Sequence, residues 1–429
     1  MARKMKDSGI EWIGEIPEGW RTINPKSLFT QRKDKAQKGE RQLTSSQQYG
    51  ILYQDDYMEL TGSKVVTVEK DFDILKHVEA GDFVISMRSF QGGLEYSTNA
   101  GAISSAYVML VPNLELVYPR FYRWLLKSSV YIDALQRTTN MVRDGQAMRY
   151  SNFAQVRLFT LPLDEQKSRA DFLDLECSSI DKILFKTRSS IKEYKKLKQA
   201  VITQAVTKGV RGKREMKDSG VEWIGKIPRE FDPVQLKFFC KLITDGTHFS
   251  PTTVENGWPY ITAGDVHGIG LDYNSAKRIS EEDFQLLVAQ GCQPLKGDVL
   301  LVKDGATTGR VGFVDSDTPC VILSSVAMLR PADNTDGHYL MYLLASDFLQ
   351  KQILVSMAGS AMPRTTLTKL TKYIGLLPPL HEQKEIANYL DAKCAEIDGL
   401  IAKKEQLIKE LESYKKSLIY EVVTGKREV

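Results

Sequence analysis

Cysteine and histidine are scarce in this chain, with five of each among 429 residues. The cysteines (Cys177, Cys240, Cys292, Cys320, Cys394) form no CxxC pair, and their odd count suits neither a disulfide framework nor a zinc knuckle, so buried free thiols are expected. The histidines are dispersed. His381 precedes Glu382, but Glu385 stands where the second histidine of HExxH would be. A Walker loop is missing too, because "GATTGR" at Gly305 lacks the GK[ST] ending, and no GxSxG elbow occurs. Two look-alikes fall to simpler readings: "NPKS" at Asn24 and "DPVQ" at Asp232 are turns, and the acids of "LPLDEQK" and "HEQK" sit in the first turn of helices, where they complement the dipole. No catalytic activity is expected. No apolar run is long enough to span a bilayer, and "MARKMKDSG" lacks the apolar segment of a secretory signal, which points to a cytoplasmic protein. An excess of one charge is also absent: 58 Lys and Arg against 54 Asp and Glu leave a net +4, so any basic patch must be local.

What is present is a repeat. "MKDSGIEWIGEIP" from Met5 and "MKDSGVEWIGKIP" from Met216 agree at eleven of thirteen positions. Downstream, "LPLDEQKSRADFLD" from Leu161 answers "LPPLHEQKEIANYLD" from Leu377, and "SIDKI" at Ser179 answers "EIDGL" at Glu396. Between them lie weaker echoes, "GDFVISMRS" at Gly81 with "GDVLLVKDG" at Gly297 and "AISSAYVML" at Ala102 with "VILSSVAML" at Val321. The chain is two copies of one unit. With 42% hydrophobic and 26% charged residues, each copy can bury a core.

Each copy ends in a proline-free stretch with apolar residues at helical spacing. In the first these are Ile180, Ile183, Leu184, Ile191, Tyr194, Leu197, Val201 and Ala205; in the second, Ile397, Leu400, Leu407, Leu411, Tyr414 and Leu418 are read as heptad a and d positions. About 44 residues make a rod of roughly 65 Å. Such a rod cannot bury its stripe alone, so the two are expected to pair as an antiparallel coiled coil; the alternative is that each packs on its own globular half. The intervening segments mix short β-branched and aromatic runs, such as "GDFVIS", "AYVMLVP" and "GDVLLV", with helical stretches. The fold class is α+β: two mixed α/β globules in tandem, each followed by a long helix. The expected boundaries are repeated segments at 1–22 and 211–232, globular domains at 23–162 and 233–378, and long helices at 163–210 and 379–429.

Two similar globules on stiff rods suit the reading of spaced half-sites on duplex DNA. The chain resembles the specificity subunit of type I restriction-modification systems over essentially its whole length. The likeness is carried by the "SGIEWIGEIPEGW" opening, the "LPLDEQK" and "LPPLHEQK" helix entries, and "ITDGTHFSPTTVENGWPYITAGDV" in the second globule. The resemblance implies two target-recognition domains that read a bipartite, asymmetric DNA sequence. It also implies two methyltransferase subunits and two restriction/translocase subunits as partners, holding S-adenosylmethionine, ATP and magnesium, with no cofactor in this chain. A fused restriction-methylation partner, or a role as a protein-binding scaffold, are the alternatives.

Candidate DNA contacts in the first domain are Arg32, Lys33, Lys35, Arg41, Gln47 and Gln48 in a polar, basic stretch, Arg88 and Gln91 in "MRSFQGG", and Arg143, Gln146 and Arg149 before the helix. Such side chains pair with guanine and adenine edges or with phosphates. A solvated surface loop or a hairpin turn would look much the same. In the second domain the candidates are Thr244, Asp245, Thr247 and His248 around "DGTHFSP", Lys303 in "VKDGATTGR", and Arg364 and Thr365, while Phe249 is expected to pack inward. The repeated peptides offer Trp12, Ile13, Trp223, Ile224, Glu165, Gln166, Glu382 and Gln383 for paired partner contacts.

Overall fold

The computed structural model describes residues 3–68, 72–87, 89–138, 148–357 and 363–429, with the side chains of Phe90 and Ile269 left aside. The chain divides into two compact units, Met1–Arg188 with Gln406–Val429, and Ser189–Glu405. Unit 1 is therefore discontinuous in sequence, and unit 2 is contiguous.

The repeated peptide folds the same way in each unit. Met5–Asp7 pairs antiparallel with Glu15–Pro17, and Met216–Asp218 with Lys226–Pro228, in matching register. The turn explains why "DSG" is kept. Asp7 Oδ1 accepts from the Gly9 N–H and Asp218 Oδ1 from the Gly220 N–H, while Ser8 and Ser219 Oγ cap the next amide. Gly9 and Gly220 sit at φ 65° and 70°, the left-handed region where a side chain is strained. Buried Ile10, Ile13 and Ile16 carry one hairpin onto its core, and Ile224 and Ile227 carry the other.

Each unit is built on an antiparallel sheet of the same strand order. In unit 1 it runs Phe29–Arg32, Val108–Pro112, Phe83–Ile85, Glu95–Tyr96. In unit 2 the order is Cys240–Asp245, Val326–Pro331, Val299–Val302, Val311–Phe313, with Gly268–Ile269 added in parallel at the edge. The central strands are buried on both faces, which is why "FVI" and "VLLV" read as continuous apolar runs rather than alternating ones. Asp82 and the corresponding Asp298 enter these strands buried, and each takes a forked guanidinium. Arg32 supplies it in unit 1, with Nε 2.7 Å from Asp82, and Arg330 in unit 2, with Nη2 2.8 Å from Asp298. All five cysteines are free and four are buried. Burial pushes the Cys177 thiol up to about 11 and those of Cys240 and Cys320 to about 12.

The long helices are Leu163–Lys208 and Leu380–Val423. Their inward stripe keeps a three-four spacing, through Leu173, Cys177, Ile180, Leu184, Thr187 and Ile191 in the first helix, and through Leu390, Cys394, Ile397 and Ile401 in the second. This corrects the stripe read from sequence: Ile183, Leu197, Leu400, Leu407 and Tyr414 are exposed. Within unit 1 the helices touch through Lys415–Asp181 and Arg188–Glu412, and within unit 2 through Lys198–Asp398. Lys198–Asp398 and Lys415–Asp181 join equivalent repeat positions, and in unit 1 the partner numbers fall as the helix-one numbers rise. Among the described residues no helix is long and apolar enough to cross a membrane.

Candidate functional site

In unit 2, three separate segments bring most of the candidate residues of that domain together. The strand Cys240–Asp245 ends on Asp245, and Val299–Val302 leads into Lys303. Antiparallel pairing of the first with Val326–Pro331, and of that strand with the second, aligns these ends. Lys303 is only 3% exposed, with its Nζ 2.7 Å from Asp304 and 3.3 Å from Asp245. An ammonium so deeply buried requires such carboxylates to offset its lost hydration. The third segment arrives through an Asp304–Arg364 backbone bridge and a side-chain ion pair in which Arg364 Nε lies 2.9 Å from Asp304. The Gly305 N–H donates to the Pro363 carbonyl, and the Thr365 N–H to that of Lys303. Thr365 is fully buried against the Tyr373 hydroxyl at 2.7 Å, so it positions the segment. Thr244 holds its place in the sheet opposite Met328.

Beside this cluster, Thr247 is buried and exchanges backbone hydrogen bonds with Ile322 and Ser324. His248 projects into solvent, its side chain 73% exposed and its Nε2 3.9 Å from Asp245. Phe249 is not packed inward: it is 50% exposed, because the loop backbone is tied to the sheet through Thr247 and leaves the ring outside. The arrangement offers guanidinium, imidazole and carboxylate groups side by side, a set that can donate to and accept from base edges. Asp304, which pairs with Lys303 and with Arg364, went unread in the sequence. Its signal was its place beside a lysine at the end of an apolar strand.

The candidates of unit 1 are more dispersed. Arg32 is engaged by Asp82 and also lies 3.0 Å from Asp34, while Lys33 and Lys35 are exposed next to it. Arg41 lies 3.6 Å over the Tyr53 ring and pairs with Asp55 and Asp56 in the first turn of the helix Gln54–Thr61. Gln47 and Gln48 occupy the exposed tip between Leu43–Ser46 and Gly50–Tyr53. That tip rests on the helix Ser89–Gly92, where a Cβ on Gly92 would meet Gln47 at 2.7 Å; Gln91 on this helix is exposed. Lys127 anchors the same corner, with Nζ 2.7 Å from buried Glu95, whose carboxyl is raised by burial against the opposing pull of that lysine. Arg149 is exposed where it caps the helix Tyr150–Gln155. Arg88, Arg143 and Gln146 lie outside the described residues.

Residues 228–412 match the family model of the type I restriction modification DNA specificity domain. The type I restriction enzyme MjaVIII specificity subunit of Methanocaldococcus jannaschii is 25% identical over 81% of this chain and 80% of its own length. The chain is thus similar to type I specificity subunits, in its second half by the family model and over most of its length by the relative. Two solved structures share the fold. One, from a study of complex assembly and conformational transition of the type I R-M system, has a TM-score of 0.71 at 16% identity, covering 96% of this chain and 99% of its own. The other, the HsdS subunit from Thermoanaerobacter tengcongensis, has a TM-score of 0.52 at 16% identity, covering 96% and 98%.

The residues assigned from sequence to partner contacts divide sharply. Gln166 and Gln383 are fully buried and work inside the fold. Gln166 donates to the carbonyls of Leu116 and Leu161 and accepts from the Tyr118 N–H, and Gln383 repeats this with Asn334, Pro378 and Asp336. Glu165 receives Arg3, Arg169 and the Trp20 indole, and Glu382 receives Arg214. Ile13 and Ile224 are core residues, and Trp12 is half-buried, donating to the Arg157 carbonyl at 3.3 Å. Trp223, 57% exposed, is the member of the set that faces solvent most openly.

Proposed function

We propose that this chain is a type I specificity subunit that reads a bipartite, asymmetric duplex DNA sequence, one part with each unit, and catalyses nothing itself. In this reading it directs adenine methylation by two modification subunits and ATP-dependent restriction by two restriction subunits, which hold S-adenosylmethionine, ATP and magnesium, all in the cytoplasm. The long helices, paired as an antiparallel coiled coil, set the gap between the half-sites. The observation that carries the reading is the convergence of Asp245–His248, Lys303–Asp304 and Arg364 at adjacent strand ends of unit 2. Buried Lys303 fixes Asp245 and Asp304, and the exposed Arg364 guanidinium is already paired with Asp304, which orients it for base edges at the cost of general attraction to phosphate. That agrees with the small net charge. Exposed Trp223 is the first candidate for modification-subunit contact.

The test is methylation mapping by long-read sequencing in cells that express the chain with its neighbouring methyltransferase, against cells lacking the chain. A split asymmetric motif that depends on the chain is expected. With the methyltransferase present and folded, absence of any new motif would overturn the reading in favour of a protein-binding scaffold.

A further inference from the structure

The loop between Cys240–Asp245 and Thr253–Ile261 is clamped at both feet. At the first, Gly246 runs so close to its neighbour that an added Cβ would fall 1.9 Å from the Ile322 carbonyl oxygen. Thr247 follows with its two backbone hydrogen bonds, and its Oγ1 accepts from the Phe249 N–H at 2.9 Å, which fixes the direction of the chain. At the second foot, the Thr252 N–H donates to Asp283 at 2.7 Å, and the Thr252 carbonyl accepts from the Ser280 N–H. Between the feet, His248 and Phe249 face water.

Single exposed apolar residues are ordinary on protein surfaces. This one differs in being held out. The short tether to Thr247 and the clamped feet limit any refolding of the tip that would bury the ring, so its apolar surface stays available. Its setting is polar: His248, the Asp245–Lys303–Asp304 cluster and Arg364 bring donors and acceptors to the same face. A flat apolar ring bordered by such groups complements stacked bases, whose apolar faces are bordered by polar edges and phosphates.

Building on the proposed function, we infer that Phe249 acts as a wedge that enters the duplex between two base pairs of the half-site read by unit 2 and unstacks them. Inserted apolar side chains kink DNA in this way, and the deformation is least costly at pyrimidine–purine steps. The half-site read by unit 2 therefore contains such a step at the point of entry.

The experiment uses the full chain assembled with its modification subunit and duplexes of the mapped target, with 2-aminopurine placed in turn at positions in and beside that half-site. The wild-type complex is expected to raise fluorescence at one pyrimidine–purine step. Phe249→Ala should abolish the rise and weaken cognate binding roughly tenfold to a hundredfold, the range for losing one aromatic–base stack, with partner assembly and circular dichroism unchanged. Phe249→Trp should retain the rise. Wild-type complex that binds the target selectively without a local rise, or Phe249→Ala that binds as tightly as wild type, would overturn the wedge alone. Loss of partner assembly in Phe249→Ala, with the rise retained in whatever complex forms, would make the ring a protein contact and also overturn it. Wild-type complex with no sequence selectivity would overturn the underlying reading as well.

Discussion

At the scale of single residues, the helix entries show how firmly the repeated motif is tied into the fold. Burial alone would raise the Glu165 carboxyl, but hydrogen bonds from Arg3, Arg169 and Trp20 outweigh it and hold it at about 2, against about 4.3 in an unfolded chain. Because the folded value is the lower one, the stabilisation is complete above the unfolded value and is lost as pH falls towards 2. Glu165→Gln is expected to cost up to roughly 3 kcal/mol at neutral pH, with the gap to wild type closing between about pH 4.3 and 2. Urea unfolding of both proteins across this range measures it, and parallel curves would refute the assignment. The sequence made these residues visible by repeating them but did not disclose their direction. A glutamine that locks a helix to its globule and one that greets a partner look alike in one dimension. Phe249 carried the same ambiguity, and tertiary anchoring resolved it towards solvent.

At the scale of elements, the two long helices were legible from their period, while the face they bury was not. Leu400 precedes Ile401 and Leu407 precedes Ile408, so two adjacent stripes share the apolar pattern. Packing selects the stripe that continues through Cys394, Ile397 and Lys415. A lysine in a seam is hard to foresee, yet the Lys415 side chain is only 23% exposed and keeps its ammonium on Asp181. The sheets were visible as apolar runs, but strand order depends on long-range pairing. The loop after Cys240–Asp245 yields a sharper test. Gly246→Ala would force its methyl into the Ile322 carbonyl and should lift the loop from Val321–Ile322. Faster protease cleavage within 246–252 is expected and, if unit 2 reads one half-site as proposed, loss of selectivity confined to that half-site. An unaltered cleavage pattern with intact selectivity would show the clamp to be dispensable.

At the scale of the whole molecule, the repeat was plain from sequence, whereas the makeup of unit 1 was not. The sequence suggested consecutive domains, and the structure joins Gln406–Val429 to Met1–Arg188. Buried Arg169 makes that join specific, because its guanidinium donates to the carbonyls of Val422 and Arg427. If the helices set the gap in the target, adding one heptad to each should change the spacer seen by methylation mapping and preserve both half-sites. Altered half-sites with an unchanged spacer would contradict that role.

The discontinuity of unit 1 also sets a timetable on the ribosome. Unit 2 has all of its residues as soon as position 405 has emerged, whereas the earlier-made residues of unit 1 must wait for 406–429. At about 5–20 residues per second, translating the intervening segment takes on the order of ten to forty seconds. Throughout that interval Leu173, Cys177, Ile180 and Leu184 lack their eventual cover from Leu418 and Val422. The unit translated second is thus the first that can be completed, and the nascent chain carries an uncovered apolar helix face until 406–429 have been made.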